Sequence, residues 1–245
     1  MQTSTPNTDL IVALDFPRPE PALQMVETLE GLDVIFKVGL ELFLSAGPQL
    51  VRELVHQQKR VFLDLKFHDI PNTVAKASLQ AALLKVEMLT VHLVGGSAMI
   101  QAIKAELGEI PALRPKILGV SVLTSFDDVR WAEVTRALTH HAMDVHESVS
   151  GLVLEGVRWG ADGVVCSAME LDALLRIQPD LYTVVPGIRP AGSGAGDQAR
   201  VMTPAQARQA GACAIVMGRP IIESRDPRAL VESVMKDLSA MRISA

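Results

Sequence analysis

The sequence predicts a single-domain α/β protein, a (β/α)8 barrel of the TIM type with its functional groups at the C-terminal ends of the strands. Three observations carry this. Short apolar runs of β-type residues recur along the chain, separated by helical patterns, and strand alternating with helix implies parallel strands joined by right-handed crossovers. The 245 residues match the usual length of such a barrel, about 250. The rival, an open doubly wound sheet, wants a glycine-rich turn after its first strand, but here Leu14 runs into Asp15-Phe16-Pro17.

In chain order, strands are expected at residues 10–14, 34–38, 61–66, 88–93, 117–123, 163–166, 182–185 and 214–217. Helix candidates cover 21–29, 40–57, 74–84 and 97–107. In the second of these, Leu42, Phe43, Leu50, Val51, Leu54 and Val55 recur at the three-to-four spacing of an amphipathic helix. Two later junctions echo each other: Gly160-Ala161-Asp162-Gly163-Val164-Val165 and Gly211-Ala212-Cys213-Ala214-Ile215-Val216. Each reads as a helix ending at glycine and feeding a buried strand. The stretch 125–146 is the least regular, and a short helix is expected there before the main one. No linker of Pro, Ser or charged composition divides residues 1–245, and residues 1–8 read as a frayed tail.

Composition narrows the function. The chain is 49% hydrophobic and 21% charged with a net charge of −5, which suits one soluble domain with a sizeable core. Aromatic residues make up 4% and no Lys/Arg run stands out, so no nucleic-acid partner is expected. No apolar stretch is long enough to span a bilayer, and residues 1–8 carry no secretory pattern. A cytoplasmic protein is expected. Cys166 and Cys213 lie in apolar runs without zinc spacing and read as buried free thiols. No metal site is expected.

The most informative stretch is Asp64-Leu65-Lys66-Phe67-His68-Asp69-Ile70-Pro71-Asn72-Thr73. On a strand, side chains two apart share a face, so Asp64 and Lys66 point one way while Val61, Leu63 and Leu65 point the other. A structural Asp–Lys ion pair would satisfy that spacing too. The other strand ends favour a shared site. Asp15 follows the first strand, Lys37 lies in the second, His92 ends the fourth and Thr124 follows the fifth. Pro186 follows the seventh, and Gly218-Arg219 the eighth. Catalytic groups of barrels collect on this rim, and the loops after strands seven and eight recurrently bind phosphate. Gly218 and Arg219 offer backbone approach and a charged fork to such an anion. Residues 186–198 form a long loop with Gly187, Gly192, Gly194 and Gly196. It reads either as a surface excursion or as a lid that closes Arg189 and Gln198 over a ligand. His92 fits either the rim or the core.

The motif at 64–73, read as D-L-K-F-H-D-I-P-N-T, resembles the signature of the orotidine 5′-phosphate decarboxylase family. The resemblance extends over nearly the whole chain. It takes in Ala13-Leu14-Asp15, Phe36-Lys37-Val38-Gly39, Leu123-Thr124-Ser125, Pro186-Gly187-Ile188-Arg189-Pro190, Asp197-Gln198-Ala199-Arg200-Val201 and Val216-Met217-Gly218-Arg219. It implies decarboxylation of orotidine 5′-phosphate (OMP) to uridine 5′-phosphate (UMP), the last step of de novo pyrimidine nucleotide synthesis, without metal or cofactor. It casts Lys66 as the acid that protonates C6 of the pyrimidine, with Asp64 beside the departing carboxylate. Lys37 completes the charge array on the ribose side. Asp69 is expected to reach the site of a partner subunit in a homodimer, with Ile70 and Thr73 bordering that neighbouring site. Asp15 is implied at a ribose hydroxyl, Thr124 and Pro186 at the substrate, Gln198, Gly218 and Arg219 at its phosphate, and Arg189 on the lid.

Two rival readings fit parts of the pattern. One is a barrel acting on a sugar phosphate through a metal-held enediolate; it would want a carboxylate where Lys37 stands. The other is a nucleotide-binding barrel without catalysis, against which Lys66 speaks.

Overall fold

The computed structural model describes residues 8–190 and 202–239. The strands are β1 (Asp9–Ala13), β2 (Ile35–Gly39), β3 (Arg60–Phe67), β4 (Met88–His92), β5 (Lys116–Val120), β6 (Gly163–Val165), β7 (Tyr182–Val185) and β8 (Ala214–Met217). All neighbours are parallel, and β8 pairs back onto β1, so the sheet closes into a barrel in sequence order. Between them run α1 (Pro19–Thr28), α2 (Leu40–His56), α3 (Pro71–Leu83), α4 (Gly96–Gly108), α5 (Asp128–Thr139), α6 (Val145–Trp159), α7 (Leu171–Ile177) and α8 (Pro204–Gln209). After β8 come the one-turn α9 (Arg219–Ile222) and α10 (Pro227–Ser239). The expected barrel is the observed one. No helix among the described residues is long and apolar enough to cross a membrane.

The period-two pattern of each strand sorts its side chains between two cores. Ile11, Ile35, Phe62, Met88, Leu118, Val184 and Ala214 point inward and fill the barrel. Val12, Phe36, Val38, Val61, Leu63, Leu89 and Val91 point outward into the layer shared with the helices. Below the inner plug, Arg60 at the start of β3 binds three carboxylates. It donates to Glu87 Oε1 and Oε2 at 2.8 Å, to Asp9 at 3.2 Å and to Asp33 at 3.3 Å. Above the plug, the inward positions turn polar, which is where the site forms.

Three local features refine the sequence reading. The expected helix at 40–57 is two helical pieces kinked at Gly47, whose φ of 67° and ψ of −170° are non-helical. Pro48 begins a fresh turn there because it has no N–H to continue the first. The irregular stretch resolves into α5 and α6. Asp127 caps α5 by accepting the Arg130 N–H, and Asp144 caps α6 by accepting that of Glu147. β5 stops at Val120 rather than 123, since its partner β6 is three residues long and the shared ladder ends at Val120↔Val165. The glycine echo holds: Gly160 and Gly211 both have left-handed φ, 106° and 96°. Cys166 is buried as expected, whereas Cys213 is only half-buried, lying just before β8.

Candidate active site

The C-terminal rim brings the charged residues of the first three strands into one chain. Lys37 Nζ lies 3.1 Å from Asp15 Oδ1 and 3.7 Å from Asp64 Oδ2. Lys66 Nζ donates to both Asp64 oxygens, each at 2.9 Å. The order in space is therefore Asp15–Lys37–Asp64–Lys66, with alternating sign. Lys37 and Asp64 are mostly shielded, with side chains 12% and 14% exposed, whereas Lys66 keeps 33% and Asp15 51%. The ends of the chain thus face the opening, and the middle is held by its neighbours. Pairing of both signs is what lets such charges sit on the floor of a cleft.

Lys66 has an unusual backbone. Its φ is +50°, left-handed for a residue with a long side chain. It sits where β3 and β4 fall out of register. Leu63 pairs with Leu89 and Phe67 with Val91, so more chain is accommodated on β3 than on β4. Such irregularities re-aim a side chain beside functional sites. Within it, the Lys66 N–H donates to Thr90 Oγ1 at 2.9 Å instead of to a β4 carbonyl, and the Thr90 hydroxyl donates to Asp64 Oδ1 at 2.9 Å. Thr90 is fully buried. Sequence reasoning passed over it. The signal was its inward register between Met88 and His92, a polar residue in an apolar strand.

His92, left open between rim and core, points inward at the top of β4. Its ring lies 5.6 Å from that of His68 at 44°. Burial, then the charges of His68 and Lys66, hold His92 below its ordinary 6.5.

Two adjoining clefts share this charged floor. One, of about 240 Å³, is lined by Ala13, Asp15, Lys37, Asp64, Pro186 and Arg189, with Gly218 and Arg219 at its far wall. The other, of about 200 Å³, adds Leu14, Gly39, Leu42 and Lys66. Gly218 must be small. A Cβ there would meet Asp15 Oδ2 at 3.0 Å and Ala13 Cβ at 3.3 Å. The base of the loop after β7 is pinned, since Ile188 bridges Met202 and the Arg189 N–H donates to Met202 O at 3.0 Å. A larger apolar cleft of about 410 Å³ lies on the outer side of β3, near Phe43, Leu65 and Ala81. It lacks the charged chain.

Of the residues singled out from sequence, the structure gathers Asp15, Lys37, Asp64, Lys66, Pro186, Arg189, Gly218 and Arg219. Gln198 lies outside the described residues. Thr124 is exposed in the turn after β5 and does not line either cleft. Asp69, Ile70 and Thr73 are exposed on the rim. Asp69 takes no part in the charged chain; its carboxylate accepts the Ile70 N–H at 2.6 Å. Among the described residues, no three His, Cys, Asp or Glu side chains converge as metal ligands.

A closed barrel with a charged cleft on its C-terminal rim and an arginine after β8 defines a (β/α)8-barrel protein of the kind whose chemistry sits at that rim. Comparison with known proteins gives the particular family. The sequence model of the orotidine 5′-phosphate decarboxylase / HUMPS family matches residues 8–234. A Legionella pneumophila (strain Corby) protein named orotidine 5′-phosphate decarboxylase is 44% identical over 230 residues, covering 94% of this chain and 98% of its own. A Pseudomonas putida (strain GB-1) protein of the same name is 43% identical over 231 residues, covering 94% and 97%. The crystal structure of orotidine 5′-phosphate decarboxylase from Lactobacillus acidophilus superposes with a TM-score of 0.82 at 38% identity, covering 95% of this chain and all of that one. The chain belongs to the orotidine 5′-phosphate decarboxylase / HUMPS family.

Proposed function

We propose that this chain decarboxylates OMP to UMP, with Lys66 delivering the proton to C6. The relatives' shared name supports the reaction. The observation that carries the residue assignment is the Asp15–Lys37–Asp64–Lys66 chain: its first three members face Gly218 and Arg219 across one cleft, and Lys66 lines the adjoining cleft on the same floor.

The assigned steps balance. The bond between C6 and its carboxylate carbon breaks, carbon dioxide leaves, and the electron pair remains on C6. The Lys66 ammonium gives a proton to that carbon and becomes an amine, which solvent reprotonates. The C6 carbanion has no neighbouring carbonyl to spread its charge, so a fixed cation beside it lowers the barrier as charge develops. Asp64 would face the substrate carboxylate. At ~4 Å and an effective dielectric of ~20 such a pair costs about 4 kcal/mol, and the repulsion disappears when neutral carbon dioxide departs. Lys37 opposes that cost by holding Asp64 from the other side at 3.7 Å.

In this reading Asp15 binds a ribose hydroxyl, Thr124 contacts the pyrimidine, Pro186 lines the substrate cleft, and Arg219, Gly218 and Gln198 hold the phosphate. Phosphate binding remote from C6 then supplies orientation and closure of Arg189 over the substrate. Every step falls to a side chain of the protein, and we assign no metal or cofactor. Asp69 serves the site of a second subunit, flanked there by Ile70 and Thr73; its exposure and that of Ile70, 67% exposed, support this. The setting we propose is the cytoplasm.

Replacing Lys66 by Ala tests the assignment. It is expected to lower kcat at least ~10³-fold, since both the acid and the electrostatic stabilisation go, while UMP binding stays measurable by calorimetry. Near-normal kcat in Lys66→Ala would mean that another group supplies the proton.

A further inference from the structure

We propose that Thr90 is a positioning residue for the reaction, its one hydroxyl holding both the left-handed backbone of Lys66 and the carboxylate of Asp64. The inference rests on the proposed roles of Lys66 and Asp64.

The geometry leaves the hydroxyl one arrangement. Thr90 Oγ1 is 2.9 Å from the Lys66 amide nitrogen and 2.9 Å from Asp64 Oδ1. An amide N–H can only donate and an ionised carboxylate can only accept. The hydroxyl must therefore accept from Lys66 and send its own proton to Asp64. Thr90 has no exposed surface and both bonds are at least part-buried, so losing the hydroxyl leaves its two partners poorly compensated. The two bonds fall where the β3–β4 ladder loses its register. A strand with extra chain leaves an amide unpaired, and Thr90 supplies the missing acceptor.

The same contact fixes two catalytic geometries. A left-handed residue with a side chain is strained and persists when its surroundings hold it. Held so, Lys66 turns its side chain to the inward face, and Nζ meets both oxygens of Asp64. Asp64 is in turn oriented by two donors, Lys66 and Thr90, and by the Lys37 ammonium at 3.7 Å. Of these, Thr90 is the one with no charge and no place in either cleft lining. Its effect passes through Asp64 and Lys66 rather than through substrate.

The test compares Thr90→Val, which keeps the shape and removes the hydroxyl, with Thr90→Ser, which keeps the hydroxyl. Thr90→Ala serves if the valine variant fails to fold. The expected result is a fall in kcat of about 10-fold to 100-fold in the hydroxyl-free variant, the scale of a displaced reactive group. UMP affinity should change less than about 3-fold, because the phosphate wall is untouched, and Thr90→Ser should recover most of the turnover. Hydrogen exchange of the Lys66 amide gives a second readout, expected to quicken in the hydroxyl-free variant and to stay slow in the serine variant. Unchanged kcat in a folded hydroxyl-free variant would overturn the proposal, as would equal losses in Thr90→Ser. If wild-type protein fails to turn over OMP, the decarboxylase reading falls. The amide exchange still decides whether Thr90 clasps Lys66, and unchanged exchange overturns it.

Discussion

At the scale of single residues, the site is a set of constraints placed on a few side chains. Lys66 combines a left-handed φ of 50° with an ion pair to Asp64, so backbone and charge act on the same residue. Gly218 shows the opposite case, a position defined by what it lacks. Its missing side chain leaves room for Asp15 at one end of the charged chain. Gly218→Ala should push Asp15 aside and narrow the wall facing the phosphate. The expected outcome in steady-state kinetics is a KM raised about tenfold, equivalent to about 1.4 kcal/mol, with a smaller change in kcat. An unchanged KM would show that the wall does not contact substrate. Both residues stood out in the sequence, Lys66 through its spacing from Asp64 and Gly218 through its place before Arg219. Thr90 did not, because its function comes from a register shift between two strands that no local pattern records.

At the scale of elements, each inner strand position does a different job along its length. β3 carries Arg60 at the bottom, Phe62 in the plug, and Asp64 with Lys66 at the rim. The rim was legible because alternation is a local property. The bottom was not, because Arg60 gathers Asp9, Asp33 and Glu87 from three other segments. Conservation of function does not depend on that end, since barrel chemistry sits at the other. Arg60→Ala is therefore expected to leave kcat and KM unchanged while lowering stability by about 2 kcal/mol, because three carboxylates lose their shared partner. Urea unfolding measures it.

The same cluster sets a pH dependence. The hydrogen bond from Arg60 holds the Glu87 carboxyl below its ordinary 4.5, and Glu87 raises Arg60 further above its own range. A lowered carboxyl contributes stability that is complete above 4.5 and is lost as pH falls through the folded value. Wild type should lose stability on that acid limb more steeply than Arg60→Ala. The helix boundaries behaved like the rim. Gly160 and Gly211 marked their ends in the sequence, whereas the Gly47 kink inside α2 was hidden by an unbroken apolar period.

At the scale of the whole molecule, the barrel was legible because its repeating unit is short and regular, and because eight such units fill the chain. The site was legible in part. Strand-end residues such as Asp15, Lys37 and Arg219 are placed by the fold itself, while Thr124 lies in the exposed turn beyond β5, where strand alternation no longer dictates position. Asp69 lies exposed and apart from the described ion pairs of its own chain, and the role proposed for it is a question of assembly. If two subunits share sites, mixing Lys66→Ala with Asp69→Ala subunits builds hybrids with one intact site. Random exchange should then restore about a quarter of wild-type turnover. No recovery after proven exchange would show that each chain works alone.

Whether this rim decarboxylates OMP with protein side chains alone is read by following OMP absorbance with the wild-type protein, with and without a metal chelator. The expected result is loss of the OMP signal, formation of UMP, and the same rate in both samples. A stable OMP signal, or turnover that the chelator abolishes, would contradict it.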